Sequence, residues 1–267
     1  MKNILITGVC GGMGKATANY LARQGYHIIG IDKAKTCDLN IDYYSVDLTK
    51  QEEISNAFSL VCQKVKALDC IIHFAGFYTM NSLVEIDDDS MRKIFDVNFF
   101  GIYRINKTFL PLISKGSKII ITSSELAPLD PLPFTGLYAI TKSTVEKYAF
   151  SLRMELNLLG INVSLIRPGA VKTNMLGEST SAIDNFIDNT ELYKETSTKF
   201  KKIVDSVETK NIPAEKIAKL AHKIVKARRP KYVYNINRNF LLKLLNILPD
   251  RLQVFVIGKL LKSKDND

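Results

Sequence analysis

Tyr138 and Lys142 stand four residues apart in the run Tyr138-Ala139-Ile140-Thr141-Lys142, a spacing that puts a phenol and an ammonium on one face of a helix. Such a pair suits proton transfer. A free phenol titrates at about pH 10, and a neighbouring cation stabilises phenolate by about 1.4 kcal/mol per pKa unit, moving the acid toward the range useful for general acid–base catalysis. Tyr103 and Lys107 repeat the spacing, so context must choose between the pairs; Tyr103 reads as a helix-face packing residue.

The start of the chain supplies that context. The segment Thr7-Gly8-Val9-Cys10-Gly11-Gly12-Met13-Gly14 follows the apolar run Ile4-Leu5-Ile6 and leads into a helical pattern. Gly8, Gly12 and Gly14 lack a Cβ, so the backbone can turn tightly and approach phosphate oxygens, while the positive end of the helix favours an anion. A dinucleotide's pyrophosphate would sit here. The second apolar run, Ile28-Ile29-Gly30-Ile31, ends at Asp32, at the spacing from the turn expected of a carboxylate that accepts hydrogen bonds from ribose hydroxyls. Asp32 would repel a 2′-phosphate and Lys33 and Lys35 offset that only in part, so NAD is favoured over NADP.

Elements that could position these groups alternate along the chain. Residues 3–7, 27–32, 43–46, 68–75, 117–122, 161–167 and 231–235 read as strands, several of them apolar on both faces as in a buried parallel sheet. Helical periodicity covers 14–25, 50–66, 88–113, 138–159 and 213–228, with Ile54, Ala57, Phe58, Val61 and Val65 on one stripe. The fold class is therefore α/β: a doubly wound, Rossmann-like parallel sheet of about seven strands, in a single domain spanning 1–237. Ligands of such a sheet bind beyond the carboxyl ends of the strands, where Asp47, Ala75-Gly76, Ser123-Ser124 and Pro168-Gly169 all fall. The stretch 170–212, which has no assigned strand, reads as a substrate-covering insertion.

Taken together, these motifs resemble the short-chain dehydrogenase/reductase family of the single-domain, NAD(P)-dependent kind, over nearly the whole chain. The T-G-x-x-x-G-x-G turn matches Thr7 to Gly14, the adenine-contacting Asp is Asp47, the structural Asn is Asn98, and Ser124, Tyr138 and Lys142 complete the set with Pro168, Gly169 and Thr173. The resemblance implies reversible hydride transfer between a nicotinamide cofactor and a secondary alcohol or ketone. Tyr138 would be the acid–base, Lys142 would lower its pKa and hold the nicotinamide ribose, Ser124 would hydrogen-bond the reacting oxygen, and Asn98 would support a proton relay through water. Expected cofactor contacts are Thr7, Gly8, Gly12, Met13, Gly14, Asp32, Asp47, Leu48, Ala75, Gly76, Pro168, Gly169, Val171 and Thr173, besides Tyr138 and Lys142. A homodimer or homotetramer is implied as well. Two departures stand out. His73-Phe74-Ala75-Gly76 replaces the family's Asn-Asn-Ala-Gly, and Ser124 precedes Tyr138 by one residue more than usual, so Pro128 to Thr135 should bulge, with Ser123 as the fallback serine. His73 reads as a packed imidazole donating to a strand carbonyl, with an added acid–base role as the alternative.

Composition narrows the rest. The start, MKNILITG, leaves no room for a signal peptide's apolar region, so a cytoplasmic protein is expected. Cys10, Cys37, Cys62 and Cys70 form no C-x-x-C pair and no histidines accompany them, so no metal site is expected and the thiols read as reduced and structural; Cys10, in the turn, could instead carry a lowered pKa. Residues 1–193 hold 19 Lys/Arg against 20 Asp/Glu, whereas 194–267 hold 18 against 7, so the chain's formal charge of +10 belongs to its last quarter. No aromatic-interleaved basic run or nucleic-acid module is present, and nucleic acid is not an expected partner. Residues 238–267 read as a basic, amphipathic helical extension broken at Pro249, a pocket lid or subunit contact first, with peripheral contact to anionic lipid through 238–262 as the alternative. Members of the family that act on steroids, retinoids or other lipids resemble this chain in having such a tail, so the resemblance implies a lipid- or steroid-like substrate, and the apolar approach suggested by Leu129, Leu132 and Phe134 is consistent with it. A catalytically silent NAD(P) sensor using the basic end is the other functional class, and the intact Ser, Tyr, Lys and Asn set argues against it.

Overall fold

Ile4, Leu5 and Ile6 are fully buried in β1 (Asn3–Thr7), and a strand apolar on both faces must lie between two covering layers. The computed structural model describes residues 1–208 and 211–262, with the backbone alone for 174–180 and 206–208. Residues 209–210 of the covering segment and 263–267 of the C-terminal extension lie outside the described residues. From β1 the chain passes through α1 (Gly12–Arg23) to β2 (His27–Asp32) and β3 (Asp42–Ser45), then through α2 (Gln51–Lys64) to the other side of β1 as β4 (Cys70–His73). Next come α3 (Asp88–Phe95), a π-helical turn (Asp96–Phe100), α4 (Gly101–Phe109), β5 (Lys118–Thr122), α5 (Gly136–Asn157) and β6 (Asn162–Pro168). Two short paired strands, β7 (Val171–Lys172) and β8 (Ile212–Pro213), bracket α6 (Asn174–Asn189) and α7 (Lys194–Glu208). The chain then forms α8 (Ala214–Lys226), β9 (Val233–Ile236), α9 (Phe240–Leu245) and α10 (Asp250–Leu261).

The main sheet is parallel throughout, in the order β3-β2-β1-β4-β5-β6-β9. Because the chain runs outward from β1 and then returns to its other side, a crevice opens above the carboxyl ends of β1 and β4. Alternation along the strands sorts the core. Leu5, Ile71, Ile119 and Val163 pack under α2, α4 and α5, while Ile4, Ile6, Ile72 and Ile120 pack under α1 and α8.

Three differences from the sequence reading have physical causes. The apolar periodicity of 88–113 is real, but the π-turn at Asp96–Phe100 and a 3-10 turn at Leu110–Leu112, which contains Pro111, divide that helix. The fourth strand is confined to Cys70–His73, since the residues after it turn over the crevice. The stretch 170–212 is not strand-free: β7 and β8 close its base, and between them α6 and α7 build a separate apolar cluster around Ile183, Phe186 and Phe200. Leu261 of α10 is buried in the same cluster, which ties the C-terminal helices to the covering segment.

Candidate active site

Thr7 ends β1 and Gly8 turns the chain with φ +70°, where a Cβ would fall 2.5 Å from the backbone nitrogen of Ala75. Only glycine lets the turn and the segment after β4 approach so closely. A Cβ on Gly12 would likewise meet the Thr173 side chain at 2.5 Å, so the start of α1 is packed against the turn after β7. No side chain caps α1 at Gly11, which leaves its first N–H groups to an anion. Gly8, Gly12, Met13, Gly14, Asp32, Asp47, Leu48, Ala75, Gly76 and Thr173 all line one cleft of about 2090 Å³.

Asp32 sits at the end of β2 with Oδ2 accepting from the Cys10 N–H (2.9 Å) and Oδ1 from the Ala34 N–H (3.1 Å). Its carboxylate is thereby fixed beside the turn. Burial works to raise the Asp47 carboxyl, but hydrogen bonds from the Thr49 N–H and hydroxyl outweigh it and hold the group below the usual carboxylate range. Cys10 moves opposite to the lowered thiol considered above: burial first, then a hydrogen bond with Cys37, pushes it up to about 11.

A second cavity, about 200 Å³, adjoins the cleft, and Met13, Gly76 and Thr173 line both. Ser124, Tyr138, Lys142, Pro168, Gly169 and Val171 line the smaller one. Tyr138 and Lys142 are 9% and 5% exposed on consecutive turns of α5. Burial pushes the phenol up to about 12, with a hydrogen bond to Ser124 pulling the other way, and burial brings the Lys142 ammonium down to about 8. The expected lowering of the phenol by lysine is therefore not what these side chains do here. The ammonium donates to the Thr122 carbonyl (3.2 Å) and lies 5.6 Å from the centroid of the Tyr138 ring. Tyr103 and Lys107 are on the outer surface of α4 and line neither cavity.

The two serines are distinguished by their partners. Ser123 Oγ donates to Glu146 Oε1 (2.7 Å), and Glu146 is itself gripped by Arg167, so that hydroxyl is committed away from Tyr138. Ser124 Oγ accepts the Leu126 N–H (3.2 Å) and faces the phenol. The extra residue before Tyr138 is absorbed in a turn-rich 125–135 segment, where Phe134 takes a positive φ of 65°. Leu132 lines the pocket, Phe134 packs behind it on Phe186 and Phe200, and Leu129 is not among the lining residues.

Asn98 lies in the π-turn, fully buried. Its Oδ1 accepts the Phe77 N–H and its Nδ2 donates to the Phe77 carbonyl, both at 3.0 Å. The added residue of a π-turn rotates this amide out of the helical register toward the loop after β4. A Cβ on Gly76 would stand 3.0 Å from Asn98 Oδ1 and 3.7 Å from Lys142 Nζ, so the three groups meet.

Sequence reasoning missed Glu125. It is buried beside Ser124, lines the same pocket, and its Oε2 accepts the Asn239 N–H at 2.5 Å where α9 begins. Burial raises its carboxyl, while Asn239, Arg238 and Lys243 pull against that. Its place directly after Ser123-Ser124 at a strand end was the available signal. Leu242 of α9 also lines the pocket.

His73 differs from expectation as well. Strand pairing on both sides uses the backbone of β4, and the imidazole bonds to α4 instead: Nε2 donates to Asn106 Oδ1 (2.9 Å), and Asn106 Nδ2 donates to the Tyr148 hydroxyl (3.2 Å). Nδ1 has no partner among the described residues.

The family model described as short chain dehydrogenase matches residues 2–184, and the chain belongs to that family of oxidoreductases with a nucleotide-binding Rossmann fold. Mouse estradiol 17-beta-dehydrogenase 2 is 32% identical over 65% of this chain, but the match spans only 49% of that protein's length. The uncharacterized oxidoreductase YbbO of Escherichia coli K12 is also 32% identical, over 64% of this chain and 66% of its own. Among solved structures, a short-chain dehydrogenase from Streptomyces avermitilis has a TM-score of 0.76 at 20% identity, covering 100% of this chain and 98% of its own. That likeness is one of fold.

Burial pushes the His73 pKa down to about 4, the Asn106 bond acting weakly against it. Above about pH 6.5 neither folded nor unfolded chain holds this proton; as pH falls toward the folded value the unfolded chain alone takes it, so stability is lost across that window, by roughly 3 kcal/mol at its lower end. His73→Asn should show a smaller drop in urea midpoint than the native protein between about pH 7 and about pH 5. Equal acid sensitivity in the two would show that the ring is not held neutral.

Proposed function

We propose that this protein is an NAD-dependent dehydrogenase/reductase that interconverts an apolar secondary alcohol and its ketone. The observation that carries the reading is the meeting of Ser124, Tyr138 and Lys142 in a water-poor pocket that shares a wall with the glycine-lined cleft. The residues present fit a dinucleotide: Gly8 and Gly12 form a cradle that a Cβ would fill, α1 presents uncapped N–H groups, and the Asp32 carboxylate is held beside the turn in the same cleft, where it would meet the ribose hydroxyls. The nicotinamide ring, when bound, supplies the hydride donor or acceptor.

The chain's own residues handle the proton. Burial keeps Tyr138 protonated, so its hydroxyl can donate to a carbonyl oxygen, and Ser124 Oγ can donate a second hydrogen bond to the same atom. As the proton leaves Tyr138 Oη, negative charge develops on a phenol whose ring centroid lies 5.6 Å from the Lys142 ammonium, and attraction between opposite charges is strengthened in a buried site. Asn98 fixes the Phe77 backbone and so the floor on which Gly76 and Lys142 meet.

Apolar lining by Leu126, Leu132, Phe200, Val204 and Leu242 supports an apolar substrate, and the name of the mouse relative supports a steroid-like one. At about 200 Å³ the pocket is smaller than the ~300–1,000 Å³ of drug-sized sites. This volume suits a short ketone, and a fused-ring substrate would need the lining, Leu242 of α9 included, to move or would extend into the adjoining cleft. Free thiols at Cys10, Cys37, Cys62 and Cys70 are consistent with a cytoplasmic setting. On the layer formed by α4 and α5, Phe100, Tyr103, Phe150, Met154 and Leu158 are exposed, and a second copy of the chain is the proposed cover.

With a panel of secondary alcohols and ketones, from short acyl compounds to sterols, turnover should appear as a change in absorbance of the reduced nicotinamide. Tyr138→Phe should cut kcat by at least about a thousandfold with cofactor affinity nearly unchanged, while Lys142→Ala should damage both. Near-normal turnover by Tyr138→Phe rejects the assignment. The native protein should prefer NAD to NADP by about tenfold or more in kcat/KM, and Asp32→Ala should narrow that gap; a native preference for NADP would reverse the cofactor reading. Sedimentation should give an assembly of two or four chains, and Phe150→Asp with Met154→Asp should release monomers.

A further inference from the structure

We propose that α9 and α10 dock this protein on an anionic lipid bilayer, their outer apolar faces entering the headgroup boundary and their inner faces closing the substrate pocket. Asn246, just after α9, accepts the Asp130 N–H (2.6 Å), and Gln253 of α10 donates to Asp130 Oδ2 (3.1 Å), so both helices are clipped to one point of the 125–135 segment. Leu242 enters the pocket and Leu261 is buried with Phe200. Outward, the same short segment exposes Phe240 (72%), Leu241, Leu244, Ile247 (78%), Leu252, Val254 (73%), Phe255 (64%) and Leu260. Apolar side chains so concentrated mark an interaction surface rather than scattered surface leucines.

The charges among them select the occupant. Residues 240–262 contain Lys243, Arg251, Lys259 and Lys262 and a single acid, Asp250. A second copy seated on this face would set like charges against each other, whereas a lipid surface with anionic headgroups complements them. No helix among the described residues is long and apolar enough to cross a membrane, and two short helices separated by Pro249 suit a position in the plane of the interface. Insertion of the outer face would pull on α9 from the side opposite Leu242, giving an apolar substrate a path from lipid into the pocket. That delivery step rests on the proposed reaction; the docking does not.

The test floats the full-length protein with unilamellar vesicles of phosphatidylglycerol and phosphatidylcholine, or of phosphatidylcholine alone, at about 0.1 M salt. The protein should rise with the anionic vesicles and remain mostly behind with the neutral ones. Ile247→Ser combined with Phe255→Ser should lower the bound fraction at least about tenfold, and Arg251→Gln or Lys259→Gln about fivefold each. Since these side chains are exposed, the variants should keep the native circular dichroism spectrum and melting midpoint. Protein that stays behind with every lipid, or a double variant that floats like the native chain, overturns the proposal. So does a fall in sedimentation mass of the double variant without lipid, which would assign the face to a second copy. Flotation reads binding without turnover, so an inactive enzyme that floats would fail only the reaction.

Discussion

Tyr138 and Lys142 occupy neighbouring turns of α5 with almost no access to water, and burial disfavours charge on both. The phenol is made a weaker acid, at about 12, and the ammonium a stronger one, at about 8, so their pKa values move apart in opposite directions. In such an environment a small displacement of charge has a large energetic effect, because little solvent is present to screen it. In the proposed reaction, lysine acts on the phenol only as the proton departs. This differs from a tyrosine that is already acidic before substrate arrives, and it fits an interaction that strengthens along the reaction coordinate.

Holding two such groups together requires the surrounding polar atoms to be accounted for. The Thr122 carbonyl, at the end of β5, takes the ammonium; the Ser123 hydroxyl is drawn off by the Glu146–Arg167 pair; Asn98 is spent on Phe77. Each of these commitments removes an alternative partner from the pocket, leaving Ser124 as the hydroxyl that faces Tyr138. The π-turn belongs to the same logic. The added residue shifts the angular position of Asn98 around the helix, and its amide meets the Phe77 backbone in the loop beneath Gly76.

Strand and helix positions were legible because a parallel sheet covered on both faces demands apolar runs such as Ile4-Leu5-Ile6 and Ile119-Ile120-Ile121, and few other structures do. Placement of Ser124, Tyr138, Lys142 and the glycine turn at one edge follows from strand polarity. Other features depend on tertiary contact and leave no periodic mark. The π-turn has the same apolar pattern as an α-helix, His73 finds its partner 33 positions away at Asn106, and β7 and β8 are too short to register as strands. Glu125 was hidden for a different reason: a lone acid beside two serines reads as solvated until the fold buries it under Asn239.

That buried acid joins the chemistry to the covering helices. The Glu125 N–H donates to the Pro168 carbonyl (2.9 Å), its carboxylate receives the Asn239 N–H, and the Asn239 side chain in turn caps α9 through the Leu241 and Leu242 N–H groups. Ser124, the Pro168-Gly169 turn and the start of α9 are thus linked through one side chain. A carboxylate in this position cannot lose its N–H partner without either taking a proton or drawing in water, since an unpaired buried charge is strongly disfavoured. Moving α9 away would therefore unpair the acid next to Ser124 and admit water to the pocket that encloses the tyrosine–lysine pair.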